Sequence, residues 1–383
     1  MKTEVLIVGG GLAGLSLADK LAREGVDFLL VEAQNRLGGR ILTEDISGGA
    51  FDLGPAWFWP GQPRMAQLID RLGLRYFEQY SAGDIVFQDQ SGAVHKNRGY
   101  SSMQGSYRVA GGMGELITSL HQDLPRSRIR LKAAVTALTQ TNAGIHAQFR
   151  AETEQDTVLA ERVVLALPPR VIAQTIQFTP ELPQAAMAAL EQIPTWMAGQ
   201  AKIVAVYDQP YWRKAGMSGD GMSQKGPMVE IHDASPIDGG PYALFGFVGF
   251  PASTRAQYRD ELLTLAKEQF VEMYGPDMAT PVSIQLQDWA QNPAIATAKD
   301  HASPSFHPNY GLPKSLADLW SGRLMLASTE IGRQFGGFLE GALEVADETA
   351  SQILATRMPH QARMSSIPRY DGVTKQSPNG GSG

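Results

Sequence analysis

The stretch Val5–Thr43 constrains this chain more than any other. It reads VLIVGGGLAGLSLADKLAREGVDFLLVEAQNRLGGRILT. Val5–Val8 is a short apolar run that predicts a buried parallel strand. Gly9, Gly11 and Gly14 follow with the spacing G-x-G-x-x-G, and Leu12 and Ala13 open the segment after them. Leu15, Ala18, Leu21 and Ala22 fall on one helical face, and Gly25 supplies a stop. Phe28–Val31 predicts a second strand, and Glu32 stands at its end, 18 residues after Gly14. Strand, glycine turn, helix, strand and acid in that order make a βαβ dinucleotide-binding unit. The first glycine makes the tight turn, the second lets the backbone approach a pyrophosphate, and the third lets helix and strand pack closely. The acid accepts hydrogen bonds from the adenosine ribose. This fingerprint alone does not separate NAD from FAD.

Composition narrows the remaining classes. The 383 residues are enough for two domains sharing one cofactor. A net charge of −6 gives nucleic-acid binding no electrostatic support. The chain has no cysteine, so disulfides, thiolate metal sites, cysteine nucleophiles and a cysteine-linked flavin are excluded. The seven histidines show no metal-ligand spacing, and no metal site is expected. The first strand begins by Val5, and no run of about 18 apolar residues occurs. We therefore expect neither a signal peptide nor a membrane span, and the cytoplasm as the address.

Directly after Glu32, the residues Arg36, Gly38, Gly39, Arg40 and Thr43 spell R-x-G-G-R-x-x-T. This resembles the second glycine motif of the flavin amine oxidase (monoamine oxidase-like) superfamily. There the glycine pair passes close to the cofactor and the second arginine sits beside the diphosphate and flavin. Four more stretches carry the same resemblance. Asp52-Leu53-Gly54, followed by Pro55, Ala56 and the aromatics Trp57 and Phe58, is similar to the family's flavin-lining loop. Val109–Gly112 resembles its short glycine helix start, and VVLALPP at 163–169 its strand over the cofactor. LMLASTEIGRQFGGFLEGA at 324–342 looks like its C-terminal flavin motif.

The resemblance implies an α/β fold: a Rossmann-type FAD-binding domain with a second α+β substrate domain on a mixed sheet. The FAD domain is expected at 1–79, 105–175 and 318–358, and the substrate domain at 80–104 and 176–317. Residues 359–383, rich in Ser, Pro and Gly, read as a flexible tail. The first substrate-domain insert, Tyr80–Gln104, is short and reads as a hairpin turning at Ser91-Gly92, where monoamine oxidases have a long helical segment. The substrate tunnel is therefore expected to be shorter or more open, or closed by a partner subunit, and a homodimer is one arrangement this allows.

The activity implied is oxidation of an amine, with hydride passing to flavin N5 of non-covalent FAD and O2 reoxidising the flavin to H2O2. The alternatives on the same scaffold are an amino-acid oxidase or a C–C desaturase. A flavin-holding binding protein without turnover is a third reading. Lys202, in the strand AKIVAVY, matches the family lysine that holds a water against flavin N5. A lysine on an exposed edge strand is the competing reading, but Ile203, Val204 and Val206 suggest burial. By the same resemblance Glu330 binds the ribityl chain and Val135 the adenine. Gly337, Phe338 and Leu339 open the last helix near the flavin. Monoamine oxidases place two tyrosines in front of the flavin. Phe338 stands at the second of these positions, and counting from Trp289 places Lys299 at the first. Trp57 and Phe58 could replace the missing ring, since aromatic faces attract cations. A carboxylate substrate would instead call for Lys299 or Arg333 facing the flavin.

Overall fold

A computed structural model describes residues 1–97, 101–150, 157–302, 304 and 306–357. The βαβ unit forms as its sequence predicts. Lys2–Val8 and Phe28–Val31 pair in parallel, and the helix Leu12–Arg23 connects them. Leu15, Ala18 and Leu21 are fully buried on the helix face that meets the sheet. Gly14 is needed there because a Cβ would lie 2.0 Å from the carbonyl oxygen of Gly9. Gly9 in turn adopts φ +112°, where a side chain is strained.

Both strands are interior to an eight-stranded sheet. Thr157–Leu165 pairs with Lys2–Val8 in parallel, and Leu324–Leu326 pairs with its C-terminal end. An antiparallel excursion, Ala134–Thr141 and Gly144–Arg150, extends one side. Gln177–Thr179 pairs with Ala137–Thr139, so the chain leaves this sheet a few residues beyond the boundary of 175 read from sequence. The reason is local: Ile176 and Phe178 are buried in the core of the first sheet.

The second sheet has seven strands in the order Ser283–Asp288, Ala201–Tyr207, Tyr242–Val248, Met228–Asp233, Met217–Ser223, Asp84–Gln88 and Val94–Asn97. The short insert is indeed a hairpin, at the edge of this sheet. Ala201–Tyr207 is an interior strand, buried along its whole length. Its side chains alternate, as strand geometry demands. Ile203, Ala205 and Tyr207 pack in the cluster with Leu262, Ala266 and Phe270 of the helix Arg259–Tyr274. Val204 and Val206 pack on the other side against Ile46, Phe51 and Leu53 of the first domain. Lys202 shares the parity of these two valines and therefore faces the first domain. The proposed tail, 359–383, lies outside the described residues. No described helix is long and apolar enough to cross a membrane.

The Gly14 contact is testable. Gly14→Ala should cost about 1–3 kcal/mol, the usual range for an added carbon in a tightly packed position. Thermal unfolding of the cofactor-free protein should show the loss, and an unchanged Tm would mean the helix can move off the strand freely.

Candidate active site

The two sheets enclose a cavity of about 1100 Å³. Small-molecule sites usually occupy about 300–1,000 Å³, so this one suits a long ligand together with a second molecule. One end is built by the βαβ unit. Gly9, Gly11, Leu12 and Ala13 line it, and a Cβ on Gly11 would meet nothing closer than 3.9 Å. The helix starting at Leu12 has no side-chain cap, so its first N–H groups are free to meet an anion. Gly14 does not line the cavity; its role is the close packing described above. Glu32 lines the wall and accepts from the backbone N–H groups of Gly10 (2.7 Å) and Gln34 (2.8 Å), one to each oxygen. A carboxylate has about four acceptor positions, so capacity remains for ribose hydroxyls. Val135 lies on the same wall.

The R-x-G-G-R-x-x-T segment divides its labour. Arg36 holds the turn itself by donating to the carbonyls of Leu37, Gly39 and Ile41. Thr43 donates to the Asp52 carboxylate and accepts from Gly114 N–H. Gly38, Gly39 and Arg40 reach the cavity. Arg40 Nη1 stands 2.7 Å from Oε1 of fully buried Glu330. The approach is off the hydrogen-bonding direction, and neither oxygen of Glu330 has an aligned donor among the described residues. Ser328, on the cavity wall, also has a buried hydroxyl without a partner there. Buried polar groups are rarely left this way, and a polyol or diphosphate beside Arg40, Ser328 and Glu330 would supply the missing bonds.

Lys202 lines the cavity, as do Gly54, Pro55 and Ala56. Its ammonium donates to the backbone carbonyls of Asp52 (3.0 Å) and Gly54 (2.6 Å) and lies 4.0 Å from the centroid of the Phe245 ring. Burial pulls its pKa down to about 7, against the pull of Asp52 and with the push of Arg108. The edge-strand alternative is therefore excluded by its place in the sheet.

The aromatic residues sort differently from the sequence expectation. Trp57 lines the cavity, with its Nε1–H on Gln79 and its ring against His232 and Phe245. Phe58 does not line it. Its backbone pairs with Tyr107 and its ring packs in the core against Tyr76 and Tyr107. Gly337, Phe338 and Leu339 line the cavity at the last helix, Leu339–Arg357. Phe338 stacks on His307 at 4.9 Å and meets Trp59 edge-on at 6.2 Å. Lys299 is exposed and ion-paired to Glu191 at 2.8 Å, away from the cavity wall. Arg333 is exposed and likewise absent from the wall.

Sequence reasoning missed Trp59, Trp196, Phe247 and Glu230, all on the wall. Trp59 belongs to the same aromatic loop as Trp57 and was within reach of that motif. The others carry no local signal. Glu340 and Glu344 are one helical turn apart but serve structure. Glu340 accepts from the N–H groups of Arg64 and Met65, and Glu344 from those of Arg333, Gln334 and Phe335. Among the described residues no group of three or more His, Asp or Glu side chains is arranged to hold a metal ion.

Comparison with known proteins agrees with this geometry. Residues 76–354 match the family model of flavin containing amine oxidoreductases, and residues 7–72 that of NAD(P)-binding Rossmann-like domains. A probable flavin-containing monoamine oxidase A of Dictyostelium discoideum is 22% identical, with 91% of this chain and 97% of the relative covered. A putrescine oxidase of Kocuria rosea is 23% identical over 70% of this chain and 76% of its own. Among solved structures, cyclohexylamine oxidase from Brevibacterium oxydans superposes with a TM-score of 0.77 at 18% identity, covering 93% of this chain and 100% of that one. The cofactor is FAD. The free helix N-terminus, the open cradle at Gly11 and the unpartnered oxygens beside Arg40 fit it, and the absence of cysteine rules out a thioether link.

Arg40→Ala should weaken FAD binding by about 1.5–3 kcal/mol, or roughly tenfold to a hundredfold, as expected for a charge-assisted contact. Flavin occupancy after prolonged dialysis measures it. Full occupancy in the variant would show that Arg40 serves only the Glu330 contact.

Proposed function

This chain belongs to the flavin-containing amine oxidoreductase family and is an FAD-dependent oxidoreductase, and on that premise we propose that it oxidises a primary or secondary amine with O2 as the acceptor. For a primary amine the balanced reaction is R–CH2–NH2 + O2 + H2O → R–CHO + NH3 + H2O2. Bound FAD supplies the two-electron acceptor for the carbon next to nitrogen and returns the electrons to O2. The protein's share is position, exclusion of water and charge.

Lys202 carries this reading. It is a buried amine on an interior strand, held toward the cavity by two backbone carbonyls, and among the described residues it makes no ion pair. Such a group can orient a water and stabilise charge that develops beside it. Trp57, Phe247 and Phe338 keep the surrounding wall apolar, which strengthens those interactions. The amino-acid oxidase alternative loses support because Lys299 and Arg333 are both off the wall.

Anaerobic mixing of the loaded enzyme with amines and with amino acids tests the reading. Amines should bleach the flavin, and admitted air should restore its colour with release of peroxide. Bleaching by amino acids alone would replace the amine assignment with the carboxylate one.

Lys202 also predicts a pH dependence. The folded lysine titrates near 7, so its positive charge is present below that pH and lost above it. Reoxidation by O2, which gains from a positive charge beside the developing anion, should slow as pH rises through about 7. In Lys202→Met it should be slower at low pH by roughly tenfold to a hundredfold, in the range for losing one preorganised donor, and flat across that window. Stopped-flow reoxidation at several pH values reads this directly. An unchanged profile in the variant would remove Lys202 from the chemistry.

A further inference from the structure

Met197 has three properties that the reaction above does not use. It lines the cavity, it is half-buried, and its backbone adopts φ +61°. A side chain in the left-handed region carries a conformational cost that glycine would avoid, and residues held in this way gather at functional sites. The turn that holds it, Thr195–Gln200, is closed by Ala198 N–H on the Thr195 carbonyl and by Gln200 N–H on the Met197 carbonyl. It is fastened at both ends. Thr195 N–H donates to buried Asp300 at 3.1 Å, and Arg255 donates to the Gly199 carbonyl at 2.7 Å.

This turn sits against the cofactor motifs. The carbonyl of Trp196 accepts from Arg40 at 3.4 Å, and a Cβ on Gly337 would lie 3.2 Å from the Cβ of Trp196. Lys202, on the strand that the turn leads into, lines the same cavity. Met197 is therefore on the part of the wall that borders the flavin motifs, where reoxidation by O2 would release hydrogen peroxide. Composition decides what can meet that peroxide. The chain has no cysteine, so no thiol intercepts it. Among the described residues the sulfur atoms on the wall belong to Met103 and Met197. Met103 lies on a segment anchored instead to the substrate sheet, by Ser101 on Asp220 and Ser102 on Glu230. A thioether takes an oxygen atom from peroxide where rings, amides and carboxylates do not.

We propose that Met197 is a modification site: its thioether takes an oxygen atom from the hydrogen peroxide formed in the cavity, and the resulting sulfoxide slows further turnover. The inference rests on the reading that O2 reoxidises the flavin. The step is R–S–CH3 + H2O2 → R–S(O)–CH3 + H2O. A sulfur lone pair attacks one peroxide oxygen and the O–O bond breaks. An S–O bond forms, and the other oxygen leaves as water with both protons. Sulfur is oxidised by two electrons and peroxide is reduced by two. The product is a polar group on a wall that Trp57, Phe247 and Phe338 otherwise keep apolar.

The site can be tested without an amine. FAD-loaded enzyme in the dark is reduced anaerobically with stoichiometric dithionite and then opened to air, over repeated cycles with catalase in solution. Catalase removes peroxide that reaches the solvent, and Met222, 52% exposed, reports oxidation from the bulk. Peptide mass spectrometry should show one added oxygen at Met197, rising with cycle number, while Met222 stays unmodified. kcat/KM for the amine that bleaches the flavin in the anaerobic screen should fall with the modified fraction, by about tenfold at completion, the size expected when a polar group replaces an apolar contact. Methionine sulfoxide reductases A and B should restore it. Met197→Leu should hold its own starting rate through the same cycles. Met197 left unmodified, or oxidised no faster than Met222, overturns the site, provided parallel cycles without catalase release peroxide. Full oxidation with unchanged kcat/KM overturns the effect on turnover. If air restores the flavin without peroxide, the O2 reading fails and the inference fails with it. If no amine bleaches the flavin, the amine reading fails while the mass shift still decides the site.

Discussion

The site depends on one buried residue that touches both domains. Asp52 is nearly inaccessible, and burial raises its pKa despite the donors around it. Its side chain accepts from Thr43 and from the backbone N–H of Met113, tying the R-x-G-G-R-x-x-T turn to the start of the helix Gly114–Gln122. Its backbone carbonyl accepts from Lys202 of the second sheet. The cofactor turn, the flavin-lining loop and the strand carrying Lys202 thus meet at a single residue. A carboxylate this buried is costly unless fully bonded. That cost favours the one arrangement in which the loop Asp52–Trp57 is pressed against the strand, and so helps to set the gap that becomes the cavity.

What could be read from sequence follows the range of the interactions. The nucleotide-binding half is written in contiguous segments, because glycine spacing, a helical face and a terminal acid act within about forty residues. Gly9, Glu32, Gly39 and Arg40 reach the cavity wall for that reason. Lys202 is legible through its match to the family lysine, and its burial through the apolar run around it. The substrate half is set by strand pairing between distant segments. Nothing near Glu230 announces that it shares a rung with Lys202 through Phe247. Met217–Ser223 reads MSGDGMS, without the alternation that would mark a strand, yet it carries Asp220 into the core.

The misplaced residues have the same cause. Lys299 was located by counting along a loop, where insertions shift register freely. The structure puts it on the surface with Glu191. Phe58 follows Trp57 in an extended stretch, and neighbours there point to opposite sides. One ring therefore faces the cavity while the other enters the core with Tyr76 and Tyr107.

The cavity carries fixed charges that both cofactor and substrate must meet. At one end a free helix N-terminus and Arg40 favour the negative diphosphate of FAD. Lys202 also lines the cavity, and a permanent ammonium there would repel an incoming cationic amine. Its depressed pKa removes much of that conflict, since near neutrality the lysine is charged only part of the time. Desolvation on burial is the largest cause of that shift, while the ring faces of Phe245 at 4.0 Å and Phe247 at 5.7 Å favour the charged form. In the proposed reading the lysine is thus held near the balance between its two forms, neutral often enough to admit a cationic amine and charged often enough to stabilise the anion that develops on reoxidation.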